Sequence, residues 1–309
     1  MPDLRRDPVT GDLVLFAPDR VARPYTVAAA LDDTAVSACP FCPGRESETP
    51  PEVLRTGNGA PNTPRWRVRV FPNRFPVVGG PSAGEGAGGA HEVAVLTPEH
   101  NRSFGRLADD EAVEVLTVLR DRARHHLGAG RAFVQALVNH GRAAGASIAH
   151  LHAQVVALEF VPPAVSALAA RFDAHTRDPL SLDRECDPAL LVDNGRALTW
   201  CPWASWAPYM MRVAHAEPAV SFDRADDPAI AAVAIATRDA LARLRHVLDD
   251  AAFNLAIRTA PPSGNTRQYW FVEIVPRTII VGGFEQGTGV LVNTVTPEAA
   301  ADALRAAQP

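Results

Sequence analysis

One order of elements occurs twice, about 118 residues apart, and limits the fold more than any other feature of this 309-residue chain. In the first run, an apolar stretch at 93–96 leads into a helical pattern over 109–127, then strand-like runs at 133–138 and 150–158. In the second, 209–213 precedes a helical pattern over 228–248, then runs at 253–257 and 269–275. The helices follow from spacing: Val113, Leu116, Leu119, Ala123 and Leu127 recur every three or four residues, as do Ile230, Val233, Thr237, Leu241, Leu244 and Leu248. Asp109 or Asp110 is expected to cap the first helix and Asp227 the second, with Pro228 in its first turn. A short helix is expected after Thr296-Pro297. Strand, helix, strand, loop, strand, met twice, predicts an α+β protein made of two copies of one unit, with Pro162-Pro163 at the junction. Residues 79–89 are so rich in glycine that a mobile loop is expected there.

Composition matters mainly for what it excludes. Every one of the 30 basic residues is Arg, so no Walker lysine, Schiff-base lysine or lysine general base exists. Arg still offers phosphate a planar fork of donors. A net charge of −5 disfavours a broad nucleic-acid surface. The chain lacks any apolar run of spanning length and its start has no apolar signal core, so the expectation is a cytoplasmic protein without a membrane partner.

The chemistry-bearing stretch is Asn139-His140-Gly141, a loop with Gly145 and Ser147, then His150-Leu151-His152-Ala153-Gln154. On a strand over 150–158, His150, His152 and Gln154 share one face while Leu151, Ala153, Val155 and Ala157 line the core. Two imidazoles and an amide in a row are costly to bury without partners, so a metal, a phosphate or both are expected. Gly141, Gly145 and Ser147 add close backbone approach and a hydroxyl donor for an anion. A second cluster is Cys39-Pro40-Phe41-Cys42, readable as two inert thiols, a redox pair or half of a zinc site. Pro43-Gly44 argues against the helix that a redox pair needs. Zinc needs two more ligands, for which His100 and His150 are candidates and His91 a rival to His100. Trp200, Trp203, Trp206 and Tyr209 read as packing, His125 and His126 as solvated at a helix end, and Cys186 and Cys201 as unpaired and inert.

In chain order, the sequence carries Arg5-Arg6-Asp7-Pro8-Val9-Thr10-Gly11, the run from Ala17 to Pro24, Cys39-Pro40-Phe41-Cys42, Pro98-Glu99-His100, Asn139-x-Gly141, His150-x-His152-x-Gln154, Pro202-Trp203-Ala204-Ser205-Trp206 and Gly283-Phe284-Glu285. Taken together these resemble the galactose-1-phosphate uridylyltransferase family, a duplicated branch of the histidine-triad superfamily, over nearly the whole chain. The resemblance implies two histidine-triad-like halves, each an antiparallel sheet with a packed helix. Residues 1–160 would form the catalytic half with the zinc site. Residues 161–309 would form a degenerate half supplying sugar-phosphate contacts. It implies one structural zinc on Cys39, Cys42, His100 and His150, and His152 as the nucleophile that becomes nucleotidylated. Gln154 and Ser147 would contact the phosphoryl group. Arg20, Arg23, Asn73, Asn139 and Gly141 would surround the nucleotide, and Phe284 and Glu285 the sugar. The implied partners are a nucleotide sugar, a sugar 1-phosphate and a second copy of the chain.

Departures from the family pattern carry information. Tyr269-Trp270-Phe271-Val272-Glu273 stands where relatives often have His-x-His, so neither a nucleophile nor a metal is expected in the second half. Arg74 follows Asn73 where uridylyltransferases tend to be acidic, which brings nucleoside-diphosphate-sugar phosphorylases into consideration. An amide at Gln154 cannot give up a proton but can stabilise phosphoryl charge, so transfer to a phosphate acceptor fits better than hydrolysis. The expectation is transfer of a nucleoside monophosphate (UMP in the family's pattern) between a nucleotide sugar and a hexose 1-phosphate. The alternatives are a phosphorylase of the ADP-glucose phosphorylase kind and a non-catalytic nucleotide-sugar binding protein.

Overall fold

A computed structural model of the chain describes residues 2–22, 39–79, 88–186, 190–217, 220–262 and 267–307. In chain order its elements are β1 (Asp3–Arg6), β2 (Leu13–Phe16), β3 (Leu54–Gly57), β4 (Trp66–Pro72), β5 (Gly89–Val95), α1 (Asp109–Gly128), β6 (Phe133–His140), β7 (His152–Leu158), α2 (Pro163–Ala174), α3 (Pro179–Cys186), β8 (Leu190–Asp193), β9 (Ala197–Trp200), β10 (Met211–His215), α4 (Asp227–Leu248), β11 (Phe253–Thr259), β12 (Trp270–Pro276), α5 (Gly283–Thr288), β13 (Val290–Asn293) and α6 (Pro297–Ala306).

Ten strands form one antiparallel sheet in the order β3-β4-β5-β7-β6-β11-β12-β10-β9-β8. The two runs seen in the sequence lie on either side of the β6–β11 pairing, where Asn139 faces Asn254. A separate three-stranded sheet, β1-β2-β13, joins the chain's beginning to its last strand, with β13 parallel to β2. No helix among the described residues is long and apolar enough to cross a membrane.

Helices α1 and α4 pack against each other and against one face of the large sheet. Their apolar stripes meet Ala136, Val138, Ala153, Val155, Ile257, Val272 and Ile274 in the main core. Small residues recur at this interface and let the helices approach closely; Ala153, the residue between His152 and Gln154, is fully buried. Ala153→Leu is therefore expected to lower stability by about 1–3 kcal/mol through overpacking, read as a shift of the urea midpoint. The opposite face carries two smaller clusters. Cys39, Phe41, Cys42, Trp66, Phe71, Val93 and Val95 pack at the β4–β5 side, and Phe172, Trp200, Tyr269 and Phe271 under α2 and α3.

Several local expectations change. Helix α1 is entered at Ala108, whose N–H donates to Glu111 Oε2 at 2.7 Å. Asp109 and Asp110 are the first two helical residues and so lie past the cap position, where their carboxylates pair with Arg238 and Arg67. The cap of α4 is Asp226, accepting from Ala229 N–H at 2.9 Å, while Asp227 in the first turn pairs with Arg120. His126 is buried rather than solvated, because it lies on the sheet side of α1 with Nε2 3.1 Å from a Glu92 oxygen. Pro163 begins α2, so the proposed junction is the entrance to a helix. Of the glycine-rich stretch, residues 80–87 lie outside the described ones, as does Arg23.

Below the second half lies a buried ionic cluster. Arg212 is fully buried and donates to Asp7 at 2.5 and 3.1 Å and to Asp183 at 2.7 Å. Arg258 holds Glu273, the residue across the ladder from Arg212. Burial opposes the charge on Arg212, but the surrounding carboxylates outweigh it and hold the guanidinium protonated. Asp7 thereby ties the N-terminal segment to the large sheet.

Candidate active site and metal centre

The site begins with the alternation of β7. Ala153, Val155 and Ala157 point into the helix-covered core, so His152 and Gln154 must emerge on the other face. On that same face β5 presents Val93, opposite Gln154, and His91, opposite Val156. His150 is not part of the strand as expected: β7 starts at His152. The backbone still bonds to the segment after β5 at Leu151, whose carbonyl accepts Leu96 N–H at 3.1 Å, and His150 turns away towards Cys39 and Cys42.

The ligand atoms of Cys39, Cys42, His100 and His150 all lie within 4.8 Å of one another, and all four residues are buried. Nδ1 of His150 is 3.7 Å from each sulfur, and Nδ1 of His100 is 3.3 Å from the Cys42 sulfur. Tetrahedral zinc with ordinary Zn–S and Zn–N lengths requires S···N edges of about 3.6 Å, so the set fits that ion. Burial, then the adjacent Cys39 sulfur, pushes the Cys42 thiol up to about 11, so thiolates here need a cation beside them. The other nitrogen of His150 donates to Thr97 O at 2.7 Å, which fixes the tautomer with Nδ1 free to coordinate. His91 takes no part in this cluster.

The loop holding the two cysteines is anchored from below. Trp66 Nε1 donates to Glu46 Oε1 at 2.9 Å, Gly44 N–H donates to the same carboxylate, and the buried Arg69 pairs with Glu52 at 2.7 Å. Phe41, between the cysteines, sets its ring edge-on to His152 with centroids 5.3 Å apart.

His152 is buried, and Nδ1–H donates to the carbonyl of His150 at 2.8 Å. A carbonyl can only accept, so Nε2 carries the lone pair. Burial holds the ring's pKa below its ordinary value, only partly offset by that hydrogen bond, so the neutral nucleophilic form is favoured. A residue of the candidate metal cluster thus fixes the orientation of the His152 ring through its own backbone carbonyl.

Asn139 and the following turn are held by a residue that sequence reasoning missed. Asn254 Nδ2 donates to Asn139 Oδ1 and to Ala144 O, both at 2.8 Å. The Asn139 amide nitrogen is then left as donor. Gly141 has φ +82°, and a Cβ there would lie 2.6 Å from the Ala252 Cβ, so only glycine fits. Ser147 is exposed on the loop that leads to His150. Asn73 Oδ1 accepts Phe75 N–H at 2.9 Å, and its Nδ2 lies against the His91 ring.

Arg20, Phe284 and Glu285 come together elsewhere. They line a cavity of about 550 Å³ with Leu15, Ile280 and Val292, and no β7 residue lines it. Glu285 Oε2 also accepts Gly282 N–H at 3.0 Å, which closes the first turn of α5. In the second half, Tyr269 and Phe271 occupy the sheet face opposite Trp270 and Val272; Tyr269 stacks on Phe172 with centroids 3.9 Å apart.

No family model matches the sequence. Among curated proteins, ADP-glucose phosphorylase of Arabidopsis thaliana is 29% identical over 334 residues, covering 98% of this chain and 92% of that protein. Galactose-1-phosphate uridylyltransferase of Streptomyces lividans is 31% identical over 179 residues, 56% of this chain and 42% of that one. Among solved structures, ADP-glucose phosphorylase from Arabidopsis thaliana with bound ADP-glucose superposes with a TM-score of 0.82 at 27% identity, covering 99% of both chains.

Proposed function

Because this chain belongs to the galactose-1-phosphate uridylyltransferase family, we propose that His152 carries a nucleoside monophosphate from a nucleotide sugar to a phosphate acceptor. The observation that carries the reading is the His152 ring itself. Its Nδ1–H is committed to a carbonyl, so Nε2 presents a lone pair on the sheet face beside Gln154.

In the first step Nε2 attacks the α-phosphorus, the bond from that phosphorus to the bridging oxygen breaks, and the sugar 1-phosphate leaves with the electron pair. In the second, an acceptor phosphate oxygen attacks the same phosphorus and His152 recovers its lone pair. The leaving group is a phosphate ester of low basicity, so no general acid is required. The Gln154 amide can instead donate to charge on the transferring group. Ser147 and the Asn139–Gly145 turn are assigned to the phosphates, Arg20, Arg23 and Asn73 to the rest of the nucleotide, and Phe284 and Glu285 to the sugar. Cys39, Cys42, His100 and His150 are assigned one zinc ion, which would hold the cysteine loop, and through His150 the nucleophile, in place. We read residues 1–160 as the catalytic half and 161–309 as a second histidine-triad-like half whose corresponding face is filled by Tyr269 and Phe271.

For the acceptor, we favour orthophosphate, and for the donor an ADP-sugar. Support comes from the likeness to the ADP-glucose phosphorylase, 29% identical over the length of both chains, whereas the uridylyltransferase of Thermotoga maritima, which also aligns over the length of both chains, is 22% identical. This choice departs from the UMP expectation. Incubating the protein with ADP-glucose or UDP-glucose, each with orthophosphate or a hexose 1-phosphate, separates the readings. Release of ADP and glucose 1-phosphate from ADP-glucose plus orthophosphate is expected at a rate at least about tenfold above any other pairing. Faster exchange between UDP-glucose and hexose 1-phosphate restores the uridylyltransferase reading.

A further inference from the structure

His91 forms part of no metal cluster, yet it is 6% exposed and one of its ring nitrogens meets Gln154 on the His152 face. Val77 N–H donates to His91 Nδ1 at 3.1 Å. A backbone N–H cannot reverse its role, so Nδ1 holds the lone pair and, in the neutral ring, Nε2 holds the proton. The group 2.8 Å from Nε2 is Gln154 Oε1, which accepts that proton's hydrogen bond. The orientation of the Gln154 amide follows without reference to the amide itself: oxygen towards His91, NH₂ away from it. Among the described residues no protein acceptor meets Gln154 Nε2. Asn73 Oδ1 is taken by Phe75 N–H, which leaves its Nδ2 3.1 Å from His91 Nε2 and 3.4 Å from Nδ1; of the two ring nitrogens, Nδ1 is the acceptor.

The pairing register makes this contact possible. Val93 lies directly opposite Gln154 on β7, so His91 is Gln154's diagonal neighbour on the same face, a separation that two long side chains span. Burial keeps the His91 ring below its ordinary pKa and hence neutral, the state the relay requires.

We infer that His91 is a positioning residue: it locks Gln154 with its amide N–H groups, and not its carbonyl oxygen, turned towards the transferring phosphoryl group. The inference rests on the proposed role of Gln154 in nucleotidyl transfer. An unlocked amide can turn over and present an acceptor to developing negative charge, which opposes the reaction instead of assisting it.

Three variants and one double variant test this. His91→Phe keeps a ring of similar size but lacks the donor; His91→Gln can place an amide N–H near the position of Nε2. The rate of covalent labelling is measured with ADP-glucose and UDP-glucose, each labelled in its α-phosphate, together with zinc content and melting temperature. His91→Phe is expected to slow labelling by roughly 30-fold with substrate KM changed less than about threefold. His91→Gln should recover most of that loss. In a Gln154→Ala background, His91→Phe should cost nothing further, because no amide remains to orient. A wild-type protein that takes no label from either sugar nucleotide overturns the transfer reading. A wild type that labels normally, with His91→Phe equally fast or with fully additive losses in the double variant, overturns the role of His91 and leaves the transfer reading intact.

Discussion

A His152→Gly protein incubated with a nucleotide sugar labelled in the α-phosphate is expected to remain unlabelled, with turnover lowered by at least about 10⁴-fold. The size of the effect follows from the roles the ring combines. It is the attacking group in the first step and the leaving group in the second, so without it both steps require direct displacement by the acceptor. No neighbour can substitute. His150 has Nε2 bonded to Thr97 O and Nδ1 turned into the cysteine cluster, and His91 has both nitrogens engaged. The variant should keep its zinc, because none of the four ligand residues is altered, and its melting temperature should move by only a few degrees. That combination separates loss of the nucleophile from loss of the fold. Label on the variant would place the nucleophile elsewhere; label on neither protein would favour a binding role without catalysis.

Sequence reasoning reached the local parts of this site and stopped at contacts between distant segments. The helical stripes and the strand alternation around His152 were legible because each depends on residues a few positions apart. Helix caps shifted by one residue, as when α1 began at Asp109 and left Ala108 at the cap, and Asp226 took the place expected of Asp227. The candidate zinc ligands came from a family pattern; spacing alone left His91 and His100 as rivals. What separates them is sheet register: His91 is diagonal to Gln154, whereas His100 lies beyond the end of β5. Asn254 went unnoticed because its partner Asn139 is 115 residues away and meets it only across the β6–β11 ladder. The Arg212 cluster gathers Asp7, Asp183 and Glu273 from three parts of the chain, and no single window shows it. His126 was misjudged since a charge-friendly helix end does not reveal which side of the helix faces Glu92.

Purified protein is expected to contain one zinc per chain, and Cys39→Ala to lose it along with at least about 3 kcal/mol of stability, a fall of roughly 5–10 °C in melting temperature. The donor set explains the magnitude. Cys39, Cys42 and His150 have little or no accessible surface, and one cysteine cannot replace two. With the ion absent, Cys42 keeps its proton, since burial holds that thiol near 11, and two imidazoles face sulfur that no longer binds them together. The damage should extend to catalysis. His150 is tied at three points: Nδ1 in the cluster, Nε2 on Thr97 O, and its carbonyl on His152 Nδ1–H. Releasing the first leaves the other two without a fixed base, and Phe41, which packs against His152 from the cysteine loop, loosens with it. Chelation of the wild type should therefore reduce covalent labelling in step with zinc removed, and added zinc should restore both. Two zinc ions per chain would contradict the reading of the second half, where Tyr269 and Phe271 fill the face that would have to hold the other. Full labelling by a zinc-free protein would instead show that the β7 backbone orients His152 unaided.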